Sequence, residues 1–224
     1  MKNFYTQIKK TINQTTKNIQ YLKKKSDASM LTKNDLSTQN KIIQIIQNNF
    51  PDVKQFICEE NFKLKEFNKF DFKKPFAVID PIDGTENFYN ENGMFGTLIS
   101  INSNLSGKID LLYIPKKKIL INRDNIFNYS KKPKKENNIN LLSTKCLNKK
   151  ISGSNHRMYG SSAFSFYELI LGKANKFTYC DGAKIWDYYT GLRLLSLIGC
   201  NITKTKKNWK TKPNYKMNFI AQWK

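Results

Sequence analysis

The chain has 224 residues, 39% of them hydrophobic, and a formal net charge of +22. A chain of this length buries about 70% of its unfolded surface, so we expect one substantial globular unit. No stretch approaches the roughly 18 apolar residues of a membrane span, and the N-terminus lacks the charged-then-apolar pattern of a signal peptide. These features exclude a membrane-spanning protein and favour a cytoplasmic protein without a membrane partner.

The positive charge comes almost entirely from lysine. Arg123, Arg157 and Arg193 are the only arginines, although arginine is the usual reader of bases and phosphates. The lysines are spread through the chain together with many Asn and Ile residues, which is typical of an AT-rich coding sequence. We therefore favour a composition bias over nucleic-acid binding and expect no nucleic-acid partner.

The cysteines do not form a metal-binding pattern. Cys58, Cys146, Cys180 and Cys200 have no CxxC spacing, and His156 is the only histidine. Zinc and haem sites are therefore poorly supported. We predict four reduced, mostly packed thiols.

Two amphipathic helices are predicted at the N-terminus. Apolar residues recur at three- to four-residue multiples over residues 4–22 and again over residues 36–50, with a polar break at residues 23–30 between the helices. Thr32 and Asp35 have the spacing of a capping box, with Asp in place of Glu. On this interpretation Asp35 only caps a helix.

Two short apolar runs end in acidic residues. Residues 54–58 form a predicted strand followed by Glu59 and Glu60, a pair that is usually a solvated turn. Residues 75–79 form a second strand, which leads into the sequence DPIDGTENF at residues 80–88.

The second strand end carries a pattern with chemical meaning. Asp80 and Asp83 place two carboxylates at the end of a rigid strand, and Gly84 and Thr85 open a helix whose N–H groups are natural partners of an anion. A divalent cation that bridges the carboxylates and a phosphate fits this arrangement.

The middle of the chain is predicted to be rich in strands. Residues 95–101 and 108–114 form a predicted antiparallel hairpin around a turn at residues 102–104, with a third strand at residues 118–121. The charge run at residues 131–135 predicts an exposed linker between two lobes.

The C-terminal part contains two further helices. Gly160, Ser161 and Ser162 precede a helix that Gly172 ends, and serine at this position is first a cap, although its N–H groups also suit a phosphate or a hydroxyl-bearing substrate. Residues 177–180 form a predicted strand, residues 181–182 a turn, and Trp186-Asp187 opens the next helix. Asp187 there is the kind of first-turn acid that a helix dipole favours. Residues 201–203 and 217–221 are short predicted strands.

The order of these segments is distinctive. It consists of Thr32 and Asp35, Glu59-Glu60, Asp80-Pro81-Ile82-Asp83-Gly84-Thr85 with Asn87-Phe88, Arg157 with Gly160-Ser161, and Trp186-Asp187. This order resembles the inositol monophosphatase family of magnesium-dependent, lithium-sensitive phosphomonoesterases, a superfamily that includes fructose-1,6-bisphosphatase and the bisphosphate nucleotidases. The resemblance implies layers of helices and sheets in the order αβαβα.

The resemblance also implies two lobes within one family domain. Residues 1–130 would form an N-terminal α+β lobe with an antiparallel sheet and most metal ligands, and residues 131–224 a smaller α/β lobe with Asp187 and the substrate contacts. Dimers are common in the family, which leaves a homodimer open.

A site with two or three Mg²⁺ ions follows from the resemblance. The implied ligands are the carboxylates of Glu59, Asp80, Asp83 and Asp187 and the main-chain carbonyl of Ile82. The implied catalytic residues are Thr85, Asp35 and Glu59, with Thr85 and Asp35 acting together near the nucleophilic water. The implied substrate-binding residues are Gly84, Thr85, Gly160, Ser161, Ser162 and Asp187.

These implications predict direct in-line hydrolysis of a small phosphate monoester, inositol monophosphate or a similar polyol or sugar phosphate. A 3′(2′),5′-bisphosphate nucleotidase, suggested by the segment at residues 160–162, and a histidinol-phosphatase-like enzyme, suggested by Asn87 before Phe88, stay as alternatives. A catalytically weak binding or regulatory protein and a basic nucleic-acid-associated protein are alternatives of another class.

The chain departs from the family pattern at several places. Cys58 replaces the first residue of the usual Gly-Glu-Glu, and Tyr188 and Tyr189 replace a small pair, which we expect to alter the substrate pocket. Residues 103–154 are compressed, and the helix expected after the last strand is missing. We expect the trimmed walls to affect specificity more than the metal site.

Overall fold

A computed structural model describes residues 1–24, 30–134, 136, 138–147, 149, 151, 155–203, 209 and 213–224. The helices are α1 Lys2–Thr15, α2 Lys33–Asn49, α3 Leu64–Phe67, α4 Thr85–Tyr89, α5 Ile126–Tyr129, α6 Ser162–Ile170 and α7 Ile185–Leu197. The strands are β1 Tyr21–Lys24, β2 Met30–Thr32, β3 Gln55–Cys58, β4 Phe76–Asp83, β5 Gly96–Ser103, β6 Gly107–Ile114, β7 Ile119–Asn122, β8 Asn140–Leu142, β9 His156–Arg157, β10 Lys176–Lys184, β11 Asn201–Thr203 and β12 Lys216–Gln222.

The first large sheet has five strands in the order β3-β4-β5-β6-β7. Strands β4 to β7 pair antiparallel, as predicted, whereas β3 pairs parallel to β4. Every residue of β4 is buried because the sheet is covered on both faces. Ala77 and Ile79 pack on one side with α1 and α2, while Phe76 and Val78 pack on the other with α6 and α7.

The second large sheet also has five strands, in the order β11-β12-β10-β8-β9. Its central strand β10 pairs parallel to β8 and antiparallel to β12. Phe177 and Phe219 of this sheet pack against Phe166 of α6. The layers therefore follow in the order α1/α2, first sheet, α6/α7, second sheet. This arrangement confirms the prediction of stacked layers of helices and mixed sheets.

A buried ion cluster joins α7 to the first sheet. Asp110 of β6 accepts hydrogen bonds from Arg193 Nε (3.1 Å) and Arg123 Nη1 (2.6 Å). Ser100 of β5 donates to Asp110 at 2.6 Å and lies 2.9 Å from the Thr190 hydroxyl. These bonds fix the position of α7, which carries Asp187 in its first turn.

The first predicted helix is shorter than its apolar pattern suggested. Helix α1 ends at Thr15, and residues 21–24 form β1, which pairs antiparallel with β2. The Asn34 side chain donates to the carbonyl oxygens of Thr15 (2.5 Å) and Asn18 (2.8 Å), so these groups are satisfied outside a helix. The prediction of a helix to Leu22 was therefore wrong.

Two other boundaries differ from the prediction. The hairpin turn lies at residues 104–106, because β5 continues to Ser103. Asp181 and Gly182 do not separate two elements but form an irregularity inside β10, where both have positive φ. Of the predicted polar break and charge run, residues 25–29 and Lys135 lie outside the described residues. Lys131, Lys132 and Lys134 of the charge run are exposed.

The prediction of four reduced thiols was wrong for one pair. Cys146 and Cys180 form a disulfide bond, while Cys58 and Cys200 are free and buried. The two bonded cysteines are 34 residues apart, and the pairing of β8 with β10 brings them together. Sequence spacing gives no access to such a pair.

In the part of the chain that the structure describes, every helix is too short or too polar to cross a membrane.

Candidate active site

The end of β4 brings two acidic side chains to the same place. Residues three apart in a regular strand point to opposite faces, so Asp80 and Asp83 would be separated. The pairing of β4 with β5 is irregular between these two residues, which rotates the end of the strand. Their carboxylate oxygens consequently lie within 4.8 Å of each other and of Asp187.

Asp187 reaches this cluster from the first turn of α7. Its Oδ2 accepts a hydrogen bond from the Lys184 N–H at 2.9 Å, which caps the helix, and a longer one from the Tyr179 hydroxyl at 3.4 Å. The capping role predicted for a first-turn acid is therefore present. The same side chain also forms the third member of the acidic cluster.

Burial and mutual repulsion raise the pKa values of all three carboxyl groups. Burial raises the pKa of Asp80 well above its usual range, and the charges of Glu59, Asp83 and Asp187 add to this effect. Burial together with Glu59 raises the pKa of Asp83 to about 7 and that of Asp187 to about 8. A cluster of this kind favours either bound protons or a bound cation.

Helix α6 holds Asp83 in place. The Oδ2 atom of Asp83 accepts hydrogen bonds from the Ser161 hydroxyl at 2.5 Å and from the Ala163 N–H at 2.6 Å. Ser161 also caps α6, because its Oγ accepts from the Phe164 N–H at 3.1 Å. The N-terminus of α6, which the sequence suggested for a phosphate or hydroxyl, thus contacts an acidic side chain of the protein itself.

Asp35 and Thr85 are hydrogen-bonded beside the cluster. Asp35 is fully buried, and its Oδ2 accepts from the N–H and hydroxyl of Thr32 at 2.7 and 2.5 Å, so the capping box is present. Its Oδ1 accepts from the Thr85 hydroxyl at 3.2 Å, and that hydroxyl also lies 3.1 Å from the carbonyl oxygen of Ile82. Asp35 therefore combines helix capping with a contact to the site.

These residues border a cleft of about 340 Å³. The predicted site residues along it are Glu59, Asp80, Ile82, Asp83, Gly84, Thr85, Gly160 and Asp187. Ser161 and Ser162 line an adjoining pocket of about 70 Å³, which also reaches Asp83 and Asp187. The structure thus brings the predicted residues to one region. Glu59 lies at the end of β3 on the border of the cleft and outside the tight cluster of three carboxylates.

Gly84 is required by the packing of the cleft. Its φ of 87° lies in the left-handed region, and an added Cβ would come 2.8 Å from the Ser161 Cβ. The neighbouring segment is fixed by Asn87, whose amide donates to the carbonyl oxygens of Met94 (2.8 Å) and Tyr159 (2.6 Å). This side chain connects α4 to the residues that precede α6.

Sequence reasoning missed several residues of the site. The Ala163 N–H and the Tyr179 hydroxyl contact the acidic cluster, and Thr144 and Lys145 line the cleft. No local motif marks Tyr179, Thr144 and Lys145, because their position depends on the pairing of β8 with β10. A serine cap was the only available signal, and it located α6.

The expected effect of the tyrosine pair is not seen in the cleft. Tyr188 and Tyr189 are buried in the core between the layers. The Tyr188 hydroxyl lies 2.6 Å from the Asn214 carbonyl oxygen, and the Tyr189 hydroxyl accepts from Arg193 at 2.9 Å. Neither tyrosine is among the described residues that line the cleft with the acidic cluster. The bulk of the tyrosine pair is therefore accommodated by the core.

The residues present fit a hard divalent cation. The Oδ1 atom of Asp80 is buried and has no hydrogen-bond partner among the residues that the structure describes. A buried carboxylate oxygen without a partner is unfavourable unless a cation compensates it. The site offers oxygen donors, namely three clustered carboxylates and a nearby carbonyl. Oxygen ligands are the ones that Mg²⁺ and Ca²⁺ prefer.

Fold and site together define a layered α/β protein with an acidic cleft suited to a divalent cation and an anionic ligand. Residues 2–121 match the inositol monophosphatase family. This match covers more than half of the chain, and the protein belongs to that family. Its membership identifies it as a phosphatase, a class of hydrolase. No curated protein matches the sequence.

Solved structures share the fold over nearly the whole chain. An IMPase/NADP phosphatase complexed with Mg²⁺ and phosphate has a TM-score of 0.76 at 16% identity, with 98% of this chain and 87% of that chain covered. A dual-specific IMPase/NADP phosphatase bound with D-inositol-1-phosphate has a TM-score of 0.75 at 17% identity, with 98% of this chain and 88% of that chain covered. An IMPase from Thermotoga maritima has a TM-score of 0.71 at 18% identity, with 99% of this chain and 92% of that chain covered. At these identities the similarity establishes the fold alone.

Proposed function

We propose that the protein hydrolyses a small phosphate monoester in a Mg²⁺-dependent reaction, with inositol monophosphate or a similar polyol or sugar phosphate as substrate. The observation that carries this proposal is the cluster of Asp80, Asp83 and Asp187 within 4.8 Å, next to the hydrogen-bonded pair of Thr85 and Asp35. Family membership and a neighbour bound with D-inositol-1-phosphate support it.

Asp80, Asp83, Asp187 and the Ile82 carbonyl would hold the cation, with Glu59, which follows the neighbouring strand β3, as a further carboxylate on the border of the cleft. Bound Mg²⁺ supplies Lewis-acid activation of water and neutralises charge on the phosphate and the leaving oxygen. The Ser161 hydroxyl and the Ala163 N–H occupy Oδ2 of Asp83 and so orient the carboxylate, which leaves Oδ1 for the cluster.

Thr85 and Asp35 would accept the proton of the attacking water. The Thr85 hydroxyl donates to Asp35 Oδ1, so its oxygen can accept a hydrogen bond from a water in the cleft. As the water attacks phosphorus, its proton moves to Thr85 Oγ1, and the Thr85 proton moves to Asp35. The ester P–O bond breaks at the same time, and the released oxygen takes up a proton from solvent to give the alcohol. Two hydrogen bonds from Thr32 keep the Asp35 carboxylate in position for this transfer.

The phosphate would lie where α4 begins. The N–H groups of Gly84 and Thr85 are at the start of that helix, and both residues line the cleft. Backbone donors of this kind stabilise the charge that develops on the phosphate oxygens. Gly160 lines the same cleft close to Asn87 of α4 and would contact the ester as well.

A second candidate function is hydrolysis of an ester with a second phosphate, as in a bisphosphate nucleotide or NADP. It is favoured by Lys145, Lys184 and Lys216, which line the cleft together with the acidic cluster. These cations add a positive potential beside the site.

The test is a panel of inositol, sugar, histidinol and nucleotide phosphates assayed with Mg²⁺ and with excess chelator. We expect turnover of at least one ester with Mg²⁺ and none above background with the chelator. Absence of turnover on the whole panel would contradict the proposal. Turnover that persists with excess chelator would contradict the Mg²⁺ dependence of the proposed reaction.

A further inference from the structure

One wall of the cleft consists of two chain segments that a disulfide bond joins. Thr144 and Lys145 immediately precede Cys146, and Tyr179 and Asp181 flank Cys180. These four flanking residues all line the cleft opposite the end of β4. The bond between Cys146 and Cys180 therefore connects the two halves of the wall that faces a bound ester.

The backbone provides little other support at this point. The pairing of β8 with β10 ends at Leu142 and Thr178, before Cys180. The pairing of β10 with β12 is irregular between Tyr179 and Ala183. Beyond this pairing, the Ser143 N–H donates to the Thr178 carbonyl oxygen at 3.0 Å and the Cys180 N–H donates to the Ser143 hydroxyl at 3.4 Å. The covalent bond is thus the strongest link across the wall.

The metal-binding carboxylates are held mainly by groups outside this wall, which contributes the longer hydrogen bond of 3.4 Å from the Tyr179 hydroxyl to Asp187. Asp83 is fixed by Ser161 and Ala163, and Asp187 by the Lys184 N–H at the start of α7. Breaking the disulfide would leave these hydrogen bonds in place. A change in the wall should consequently affect the binding of the ester more than the chemical step.

We propose that Cys146 and Cys180 are positioning residues whose reversible disulfide sets the shape of the substrate wall, so that the affinity for the ester depends on the redox state of this pair. This proposal rests on the proposed phosphatase function. It adds redox regulation of ester binding in the same cleft, which family membership alone does not imply.

The two sulfurs differ in access, which defines a route for reduction. Cys146 is 1% exposed, whereas Cys180 is only partly buried. An external thiolate attacks Cys180 Sγ, a mixed disulfide forms at Cys180, and Cys146 leaves as a thiolate that takes up a proton. A second external thiol then attacks the external sulfur of the mixed disulfide and releases Cys180. The protein disulfide gains two electrons and two protons, and two external thiols become one disulfide.

The reverse reaction uses a low-molecular-weight disulfide, such as glutathione disulfide, as the oxidant. The reduced form has a partner for its buried sulfur, because the Cys146 Sγ lies 3.6 Å from the Thr178 carbonyl oxygen. A thiol at this position can donate to that oxygen. Neither redox state leaves the buried sulfur without a favourable contact.

The experiment compares the full chain after equilibration with glutathione disulfide or with dithiothreitol. Alkylation of the unfolded protein, followed by mass measurement, counts two free thiols in the oxidised form and four in the reduced form. With inositol 1-phosphate and Mg²⁺, we expect reduction to raise KM roughly three- to tenfold and to change kcat less than about twofold. Amide hydrogen exchange at residues 144–146 and 180–182 should become faster on reduction.

The double variant Cys146→Ser with Cys180→Ser should have the KM of the reduced protein and no response to dithiothreitol. The control Cys200→Ala keeps the pair and should respond like the natural protein. Four free thiols in glutathione disulfide, or equal KM and equal exchange in both states, would overturn the proposal. Faster exchange on reduction without turnover of any ester would instead reject the phosphatase function and retain the positioning role.

Discussion

The two sides of the cleft are built differently. The end of β4 belongs to a strand whose eight residues are all buried. The N-terminus of α6 donates hydrogen bonds to Asp83, and Thr85 of α4 donates to the Ile82 carbonyl oxygen. The opposite wall, at residues 179–182 of β10, is partly exposed and contains two residues with positive φ. One side is rigid because of its packing, whereas the other depends on a cross-link.

This difference separates two tasks. A metal centre requires ligands within a few tenths of an ångström of fixed positions, which a buried strand between two helical layers provides. Recognition of the alcohol part of an ester requires a surface whose shape can vary. Substitutions on the β4 side should therefore reduce turnover, and substitutions on the β10 side should change selectivity.

The largest effect is expected for Asp83→Asn. Removing one anionic ligand from the cluster should lower kcat/KM by on the order of a thousandfold, about 4 kcal/mol of transition-state stabilisation. The measurement is steady-state kinetics on the best ester of the panel, together with thermal unfolding. In metal-free buffer at pH 8 the variant should be at least as stable as the natural protein, because one repelling charge is gone.

The matched control is Asp181→Asn, a carboxylate on the other side of the same cleft. Asp181 is exposed and pairs with Lys149 at 3.4 Å, and its loss should change kcat less than about threefold. Equal losses of activity in both variants would contradict the distinction between the two sides.

The next largest effect is expected for Thr85→Val. The change keeps the size of the side chain and removes the hydroxyl that donates to Asp35, so kcat should fall about a hundredfold. The control Thr6→Val removes a hydroxyl that donates to the Lys2 carbonyl oxygen at 3.0 Å within α1, and it should leave kcat unchanged. A Thr85→Val enzyme with natural kcat would show that the hydroxyl takes no part in proton transfer.

The two sides of the cleft also differ in how well the sequence predicts them. The β4 site is local in sequence, since Asp80, Asp83, Gly84 and Thr85 are adjacent, and a strand followed by a turn already implied two acids beside an anion site. Their convergence needs the irregularity between β4 and β5, which periodicity does not reveal. The layered fold followed from the resemblance rather than from the helical and strand patterns.

The β10 wall could not be predicted in this way. Cys146 and Cys180 are separated by 34 positions, and the bond depends on the parallel pairing of short strands. The prediction of the end of α1 was wrong for a related reason. The Asn34 side chain, which belongs to α2, donates hydrogen bonds to the carbonyl groups of Thr15 and Asn18. Contacts distant in sequence decided each of these points.

A smaller effect is expected from Mg²⁺ on stability, and it should depend on pH. Because the pKa values of Asp83 (about 7) and Asp187 (about 8) are raised in the folded protein, the metal-free fold binds more protons than the unfolded chain between pH 4 and 8. Its unfolding free energy should therefore fall as the pH rises through 7 and 8. Protons compete with the cation for the same oxygens.

Saturating Mg²⁺ should consequently raise the unfolding temperature by on the order of 5 to 10 °C at pH 8 and by less at pH 5.5. Thermal scans with Mg²⁺ or chelator at both pH values measure the difference. The Asp83→Asn variant serves as the control and should lose most of the effect. A Mg²⁺ shift that is larger at pH 5.5 would place the bound ion away from this cluster.

The smallest effect is expected on the β10 side, for the double change Lys145→Ala and Lys216→Ala. Both lysines are exposed and line the cleft, so they should attract a second anionic group only through a screened field. KM for a bisphosphate nucleotide or NADP should rise about fivefold at low salt, roughly 1 kcal/mol, and KM for inositol 1-phosphate should change less than about twofold. Lys116→Ala, at a separate cavity, is the control. An equal rise for both esters would assign the lysines to general attraction of phosphate and leave selectivity to the shape of the wall.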